Sequence, residues 1–297
     1  MSEIITKQDT TVKQYKKKNQ LAEIWKRLKK SKTAMMGLII ISIFILLAVF
    51  ADIIADYDLA ITQNPSIRLQ GPSTQHFLGT DTYGRDIFAR IIHGARYSLM
   101  IGFVTTILSV GIGGIFGAIA GYYGGRIDNG IMRVMDTIMA IPPILLALSI
   151  VASLGPGLRN LLIAMTISSV PSFTRVIRAV IMSVVGQDFV EAARACGTTD
   201  RRIILRHILP NAMGPIIVQA TMSVSSMIIS AAALSFLGMG IQPPAPEWGA
   251  MLADSREFMR YYPYLVIIPG VAIVLASLSL NILGDGLRDA LDPRLKN

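Results

Sequence analysis

The residues best equipped for chemistry cluster between Asp188 and Pro210. Asp188, Glu191, Arg194, Asp200, Arg201, Arg202, Arg206 and His207 stand there beside the chain's single cysteine, Cys196. One cysteine excludes an intrachain disulfide, and its place in this stretch points to a reducing compartment. The three histidines, at positions 76, 93 and 207, are too scattered for metal-ligand spacing. There is no Gly-Lys-Ser/Thr phosphate loop and no His-Glu-x-x-His pair, so neither motif supplies nucleotide or zinc-hydrolase chemistry within this chain. What remains for 188–210 is recognition: a basic, polar segment lying between two segments apolar enough to cross a bilayer.

Local physics divides that segment in two. Phe189, Ala192, Ala193 and Cys196 recur at i, i+3, i+4 and i+7, which predicts a short helix with one apolar face. Gly197 ends it, because glycine takes a positive φ without steric cost. Thr198 or Thr199 caps a second helix, whose Ile204, Leu205, Ile208 and Leu209 repeat at helical spacing until Pro210 stops it. An ordinary amphipathic connector between membrane helices would show the same periodicity.

The residue types are more specific than the periodicity. Glu191-Ala-Ala-x-x-x-Gly197, followed after nine residues by x-Ile208-Leu209-Pro210, closely resembles the EAA loop of ABC importer permeases; His207 stands where that pattern has Ile. The resemblance implies that the loop docks into a cleft on a cytoplasmic ATPase, with Asp188, Glu191, Ala192, Ala193, Gly197, Arg201 and Pro210 as the docking residues. Glu191 then pairs with a basic group at the cleft rim, or else only with Arg194 or Arg201 of its own loop. A second run, Leu78-Gly-Thr-Asp81-x-x-Gly84-Arg85-Asp86, resembles the signature of the dipeptide and oligopeptide branch of these permeases, which includes nickel permeases. As pattern it reads as a helix capped near Thr80 to Thr82, with Ile87, Phe88, Ile91 and Ile92 on one side. The run from Leu234 to Gly249 resembles the same branch; its Trp248 suits a membrane interface or a partner contact.

The elements that position these motifs follow from composition. Across 297 residues, 52% are hydrophobic and 16% charged, which indicates a membrane protein. Residues 1–33 form a basic tail in which Leu21, Ile24, Trp25 and Leu28 make an apolar stripe beside lysines, an elbow suited to lie on anionic lipid rather than to bind nucleic acid. Residues 34–96 hold the first span (34–51) and a polar extracytoplasmic segment. Residues 97–285 hold five more spans, near 98–122, 131–152, 160–178, 212–236 and 263–284, with the EAA loop at 185–210; 286–297 is a C-tail. Gly113, Gly117, Gly121 and Gly125 offer a groove to a neighbouring helix. Pro142-Pro143 must bend its span.

Charge sets the topology. With both termini inside, the inner segments carry ten, two, six and three Lys/Arg, against four, one and two in the outer ones. The EAA loop then faces the cytoplasm.

No ionisable residue lies at the centre of a span, which argues against a secondary carrier. Gly284-Asp285-Gly286 faintly resembles an intramembrane aspartyl protease, but Asp285 lies at a span end without a second aspartate, and a helix C-cap accounts for both glycines. The expected fold class is therefore an all-α integral membrane protein with six transmembrane helices, the ABC importer type I permease fold. The resemblance further implies a second homologous permease subunit, two ATPase subunits that hold ATP and Mg, an extracytoplasmic substrate-binding protein and a peptide substrate. Nickel is the alternative cargo. This chain needs no cofactor of its own.

Overall fold

The computed structural model describes residues 20–291. The basic residues before position 20, the side chain of Leu21 and the end of the C-tail lie outside what is described. A short helix α1 (Gln20–Leu28) leads into α2 (Lys32–Val49), which Ser31 caps by accepting from the Ala34 amide at 3.3 Å. Trp25 is exposed and sits under the Lys29 ammonium, whereas Leu28 is buried. Two small helices, α3 (Ala51–Ile54) and α4 (Tyr57–Ile61), precede the long α5 (Ile87–Tyr123). Then come α6 (Gly125–Met139), α7 (Pro143–Leu154), α8 (Leu158–Val185), α9 (Asp188–Ala195), α10 (Asp200–Ile203), α11 (Leu209–Phe236), α12 (Trp248–Ser255) and α13 (Tyr264–Leu291). Among the described residues five helices are long and apolar enough to cross a membrane, and the α6–α7 pair, bent by 77°, makes a sixth when counted as one broken span. The bend falls at Pro142-Pro143, where two consecutive backbone donors are missing.

Small residues let the spans approach closely. A Cβ on Gly113, Gly117 or Gly121 would come within 2.8–2.9 Å of α8 atoms, so the glycine row of α5 is the seam with α8. Gly125 is not part of it, since nothing lies within 4 Å of its Cβ position. Gly284 and Gly286 are not helix caps as expected. They lie inside α13, which runs on to Leu291, and a Cβ there would strike Met222 of α11 and Ala34 of α2 respectively. Asp285 between them is exposed.

At the opposite end of the bundle from α9 and α10, the charges of the Leu78–Asp86 run are buried. The expected helix cap at Thr80 to Thr82 is displaced: α5 starts at Ile87, and Asp86 caps it by accepting from the Ala89 amide at 2.8 Å. An aspartate whose carboxylate meets the third helical amide makes the cap, while Thr80 is committed elsewhere, donating to the Ile67 carbonyl and accepting from the Gln70 amide. Asp81 accepts from the Arg85 amide and, at 2.6 Å, from Arg85 Nε; Arg85 Nη2 then reaches Asp254 of α12 at 2.8 Å. Arg90 lies within 3.5 Å of Asp81 and 3.8 Å of Asp254, so two buried arginines share two carboxylates. Gly84 permits this knot, for at φ +76° its Cβ would overlap the Asn64 carbonyl.

Trp248 is likewise no interface residue. It is fully buried, donating from Nε1 to the Ile91 carbonyl at 3.0 Å and stacking edge-on with Phe44. Glu247 beside it is buried and caps α12 through the Gly249 and Ala250 amides, and burial pushes its carboxyl above the usual range.

Candidate functional site

α9 and α10 form an elbow at the end of the bundle where α5, α8 and α11 converge. The face of α9 that turns inward is set by Val190, which is fully buried in a cluster with Ile177, Ile181, Ile203 and Ile208. Ala193, one turn on, packs against the same cluster. The expected apolar face thus splits: Ala193 belongs to the inner side, while Phe189, Ala192 and Cys196 remain exposed. Asp188 and Glu191 are exposed in the first turn, where carboxylates complement the helix dipole. No ion pair forms at Glu191 among the described residues, and the Arg194 guanidinium instead lies 5.1 Å over the Tyr122 ring.

Gly197 makes the turn as its sequence position requires. Its φ is +73°, its amide donates to the Arg194 carbonyl at 2.9 Å, and the Thr198 amide donates to the Ala193 carbonyl at 3.1 Å. That pair of bonds is a Schellman closure of α9. Thr199 is the N-cap of α10 through its backbone alone, its carbonyl accepting from the Ile203 amide.

Pro210 does not stop the second helix. A π-helical turn over Ile204–Ile208 carries the chain into α11, and the Leu209 amide donates to Ile204, five residues back. The widened turn makes room for the Pro210 ring, which then opens the α-helical register of the span without interrupting the rod. Asp200 through Phe236 therefore runs as one continuous 37-residue element, with no break between elbow and span. Arg201 and Pro210 are exposed along it; Ile203 and Ile208 are buried, and His207 is half-buried.

Two contacts that sequence reasoning missed fix the elbow. The Tyr122 hydroxyl, at the end of α5, donates to Asp200 Oδ1 at 2.6 Å. Val190, rather than Phe189, supplies the anchor. The elbow is thus held on one side by the bond to α5 and by packing against α8 and α11, while its other side offers Phe189, Ala192, Cys196 and a Glu191 without an ion-pair partner among the described residues.

Comparison with known proteins gives this geometry a family. Residues 113–297 match the family described as the binding-protein-dependent transport system inner membrane component. The chain belongs to that family. Residues 19–72 match the N-terminal TM domain of oligopeptide transport permease C. This permease is 51% identical over 284 residues to the dipeptide transport system permease protein DppC of Alkalihalophilus pseudofirmus, covering 96% of this chain and 93% of that one. It is 45% identical to the di/tripeptide transport system permease protein DppC of Pseudomonas aeruginosa, covering 93% of each. It is 44% identical to the glutathione transport system permease protein GsiD of Escherichia coli, covering 92% of this chain and 90% of the relative. In three dimensions the permease matches a chain of the inward-facing MetNI methionine ABC transporter with a TM-score of 0.58 at 20% identity, over 69% of this chain and 98% of the other. The all-α, type I permease architecture expected from sequence is the fold observed, and the protein is a multi-pass component of the inner membrane.

Proposed function

We propose that this permease forms half of the translocation pathway of an ATP-driven, binding-protein-dependent importer of dipeptides or oligopeptides. Its relatives named for dipeptides, tripeptides and glutathione support peptide rather than nickel as cargo. A second permease of the same fold completes the pathway, two ATPase subunits hold ATP and Mg, and an extracytoplasmic binding protein delivers the peptide. The basic bias of the inner segments supports cytoplasmic termini and a cytoplasmic elbow.

The observation that carries the reading is the two-sided elbow. Phe189, Ala192 and Cys196 form a small apolar patch beside Asp188 and Glu191 on α9, with Arg201 exposed on α10, and this patch fits a cleft on the ATPase. Gly197 sets the angle between the two helices, and Pro210 lies where the elbow enters α11. Ala193 serves from behind, through its packing. Closure of the ATPases on ATP pushes α9, and the continuous α10–α11 rod passes that displacement into the span. Residues 1–33 anchor the chain at the lipid surface, 34–96 supply the first span and the outer cap, 97–285 the transporting core, and 286–297 a cytoplasmic tail.

Reconstitution of the complete importer in proteoliposomes tests this. Uptake of a labelled dipeptide that requires both ATP and the binding protein is expected. Nickel uptake without dipeptide uptake, or uptake driven by an ion gradient without ATP, would overturn it.

A further inference from the structure

We propose that the cleft between α7, α8 and α11 is the wall of this permease that the travelling peptide touches, and that it reads backbone amides through neutral hydrogen-bonding groups. This rests on the peptide-import reading above. The cleft encloses about 140 Å³. Ser168, Ser169 and Ser172 reach it from α8, Gln219 and Ser223 from α11, and Pro143 from the start of α7 at the 77° bend.

Phe173, Val176 and Met227 complete a mixed lining, and its polar groups decide which way it faces. Ser172 lies near the middle of α8 and is exposed, and Gln219 on α11 is only half-buried. Polar side chains at that depth avoid hydrocarbon and face protein or a water-filled cavity. The outward row of α5 is the contrast: Ile107, Ile112 and Ile115 are exposed and wholly apolar, as a lipid-facing surface is. A broken helix beside a polar cluster at mid-membrane is also the arrangement that membrane transporters use to hold cargo.

The chemistry of the lining selects the ligand class. Ser168 and Ser169 donate to the Met165 carbonyl at 3.0 and 2.7 Å, leaving oxygen lone pairs to accept. Gln219 Nε2 donates to Ser223 Oγ at 3.3 Å, which leaves the amide oxygen free. Ser172 adds a hydroxyl that both donates and accepts. These groups match the alternating N–H and C=O of a peptide backbone. No charged side chain, imidazole or thiolate lines the cleft among the described residues, so it offers no anionic ligand set for a metal cation and no counter-charge that discriminates between charged peptide side chains.

Two measurements on the reconstituted importer test the proposal. In the first, Ser172→Cys and Gln219→Cys should react with a water-soluble maleimide and be protected by dipeptide, whereas Ile112→Cys should not react above the parent importer, whose own Cys196 sets the background. In the second, the pair Ser172→Ala with Gln219→Leu should cut dipeptide uptake at least tenfold while hydrolysis stimulated by the loaded binding protein stays within twofold. Ser172→Thr, which keeps the hydroxyl, should transport. Unreactive cysteines at 172 and 219, uptake within twofold of the parent, or equal loss of uptake and hydrolysis would each overturn it. If the parent importer carries no dipeptide, the import reading fails instead, and labelling alone still decides whether the cleft meets water.

Discussion

The Tyr122 hydroxyl donates to the Asp200 carboxylate at 2.6 Å, joining the last turn of α5 to the first turn of α10. A displacement of the elbow therefore reaches α5 as well as α11. Tyr122→Phe removes one hydrogen bond to a charged group, worth about 1.5–3 kcal/mol, and keeps the ring that Arg194 covers. We expect normal assembly but severalfold less dipeptide imported per ATP hydrolysed. An unchanged ratio would show that this bond does not transmit the stroke.

The turn at Gly197 isolates backbone from packing. Nothing within this chain lies within 4 Å of a Cβ placed there, so substitution acts on the elbow itself through the φ of +73° and not through its packing. Gly197→Val should cost about 1–2 kcal/mol of local strain and cut uptake with membrane insertion intact. Gly197→Asn, which tolerates this conformation, should retain most of the uptake. Equal uptake by the valine variant at equal expression would remove the hinge from the account.

The knot of Asp81, Arg85, Arg90 and Asp254 ties the segment before α5 to α12. Asp254→Leu strands two buried arginines on one remaining carboxylate, a loss of about 3–5 kcal/mol. The detergent-purified permease should melt at a markedly lower temperature, with Asp254→Asn falling between the two. A melting temperature equal to the parent's would mean that the knot is not structural.

Features fixed by local covalent facts were legible in the sequence. Consecutive prolines at 142 and 143 announce a bend, a glycine at 197 announces a positive φ, and the glycine row of α5 announces a seam. What the sequence concealed were choices made by tertiary contact. Phe189 and Val190 are adjacent apolar residues, and Ala193 shares a helical face with either, so periodicity alone does not say which one is buried. Trp248 suits an interface until Ile91 supplies a carbonyl for its indole. Asp86 rather than Thr80 caps α5 because Thr80 is held by Ile67 and Gln70. Pro210 reads as a stop unless the π turn before it is known.

The orientation of the elbow admits a direct test. Cys196 is exposed at the elbow, and Ser73 is exposed near the other end of the bundle. In intact cells a membrane-impermeant maleimide should miss Cys196 and label Ser73→Cys. Labelling of Cys196 from outside would invert the topology.

The account turns on Glu191. It is exposed, lacks an ion-pair partner among the described residues, and stands beside the free patch of Phe189, Ala192 and Cys196. If it meets a basic group at the rim of the ATPase cleft, truncation of the desolvated pair costs about 2–5 kcal/mol, well beyond an exposed surface pair. The most direct measurement is co-purification of the ATPases together with dipeptide uptake for Glu191→Ala and Glu191→Lys. We expect both to weaken ATPase association at least tenfold and uncouple hydrolysis from uptake, the lysine more severely, with partial rescue by an acidic replacement of the basic partner on the ATPase. Full assembly and full uptake in both variants would contradict the docking of this elbow at its centre.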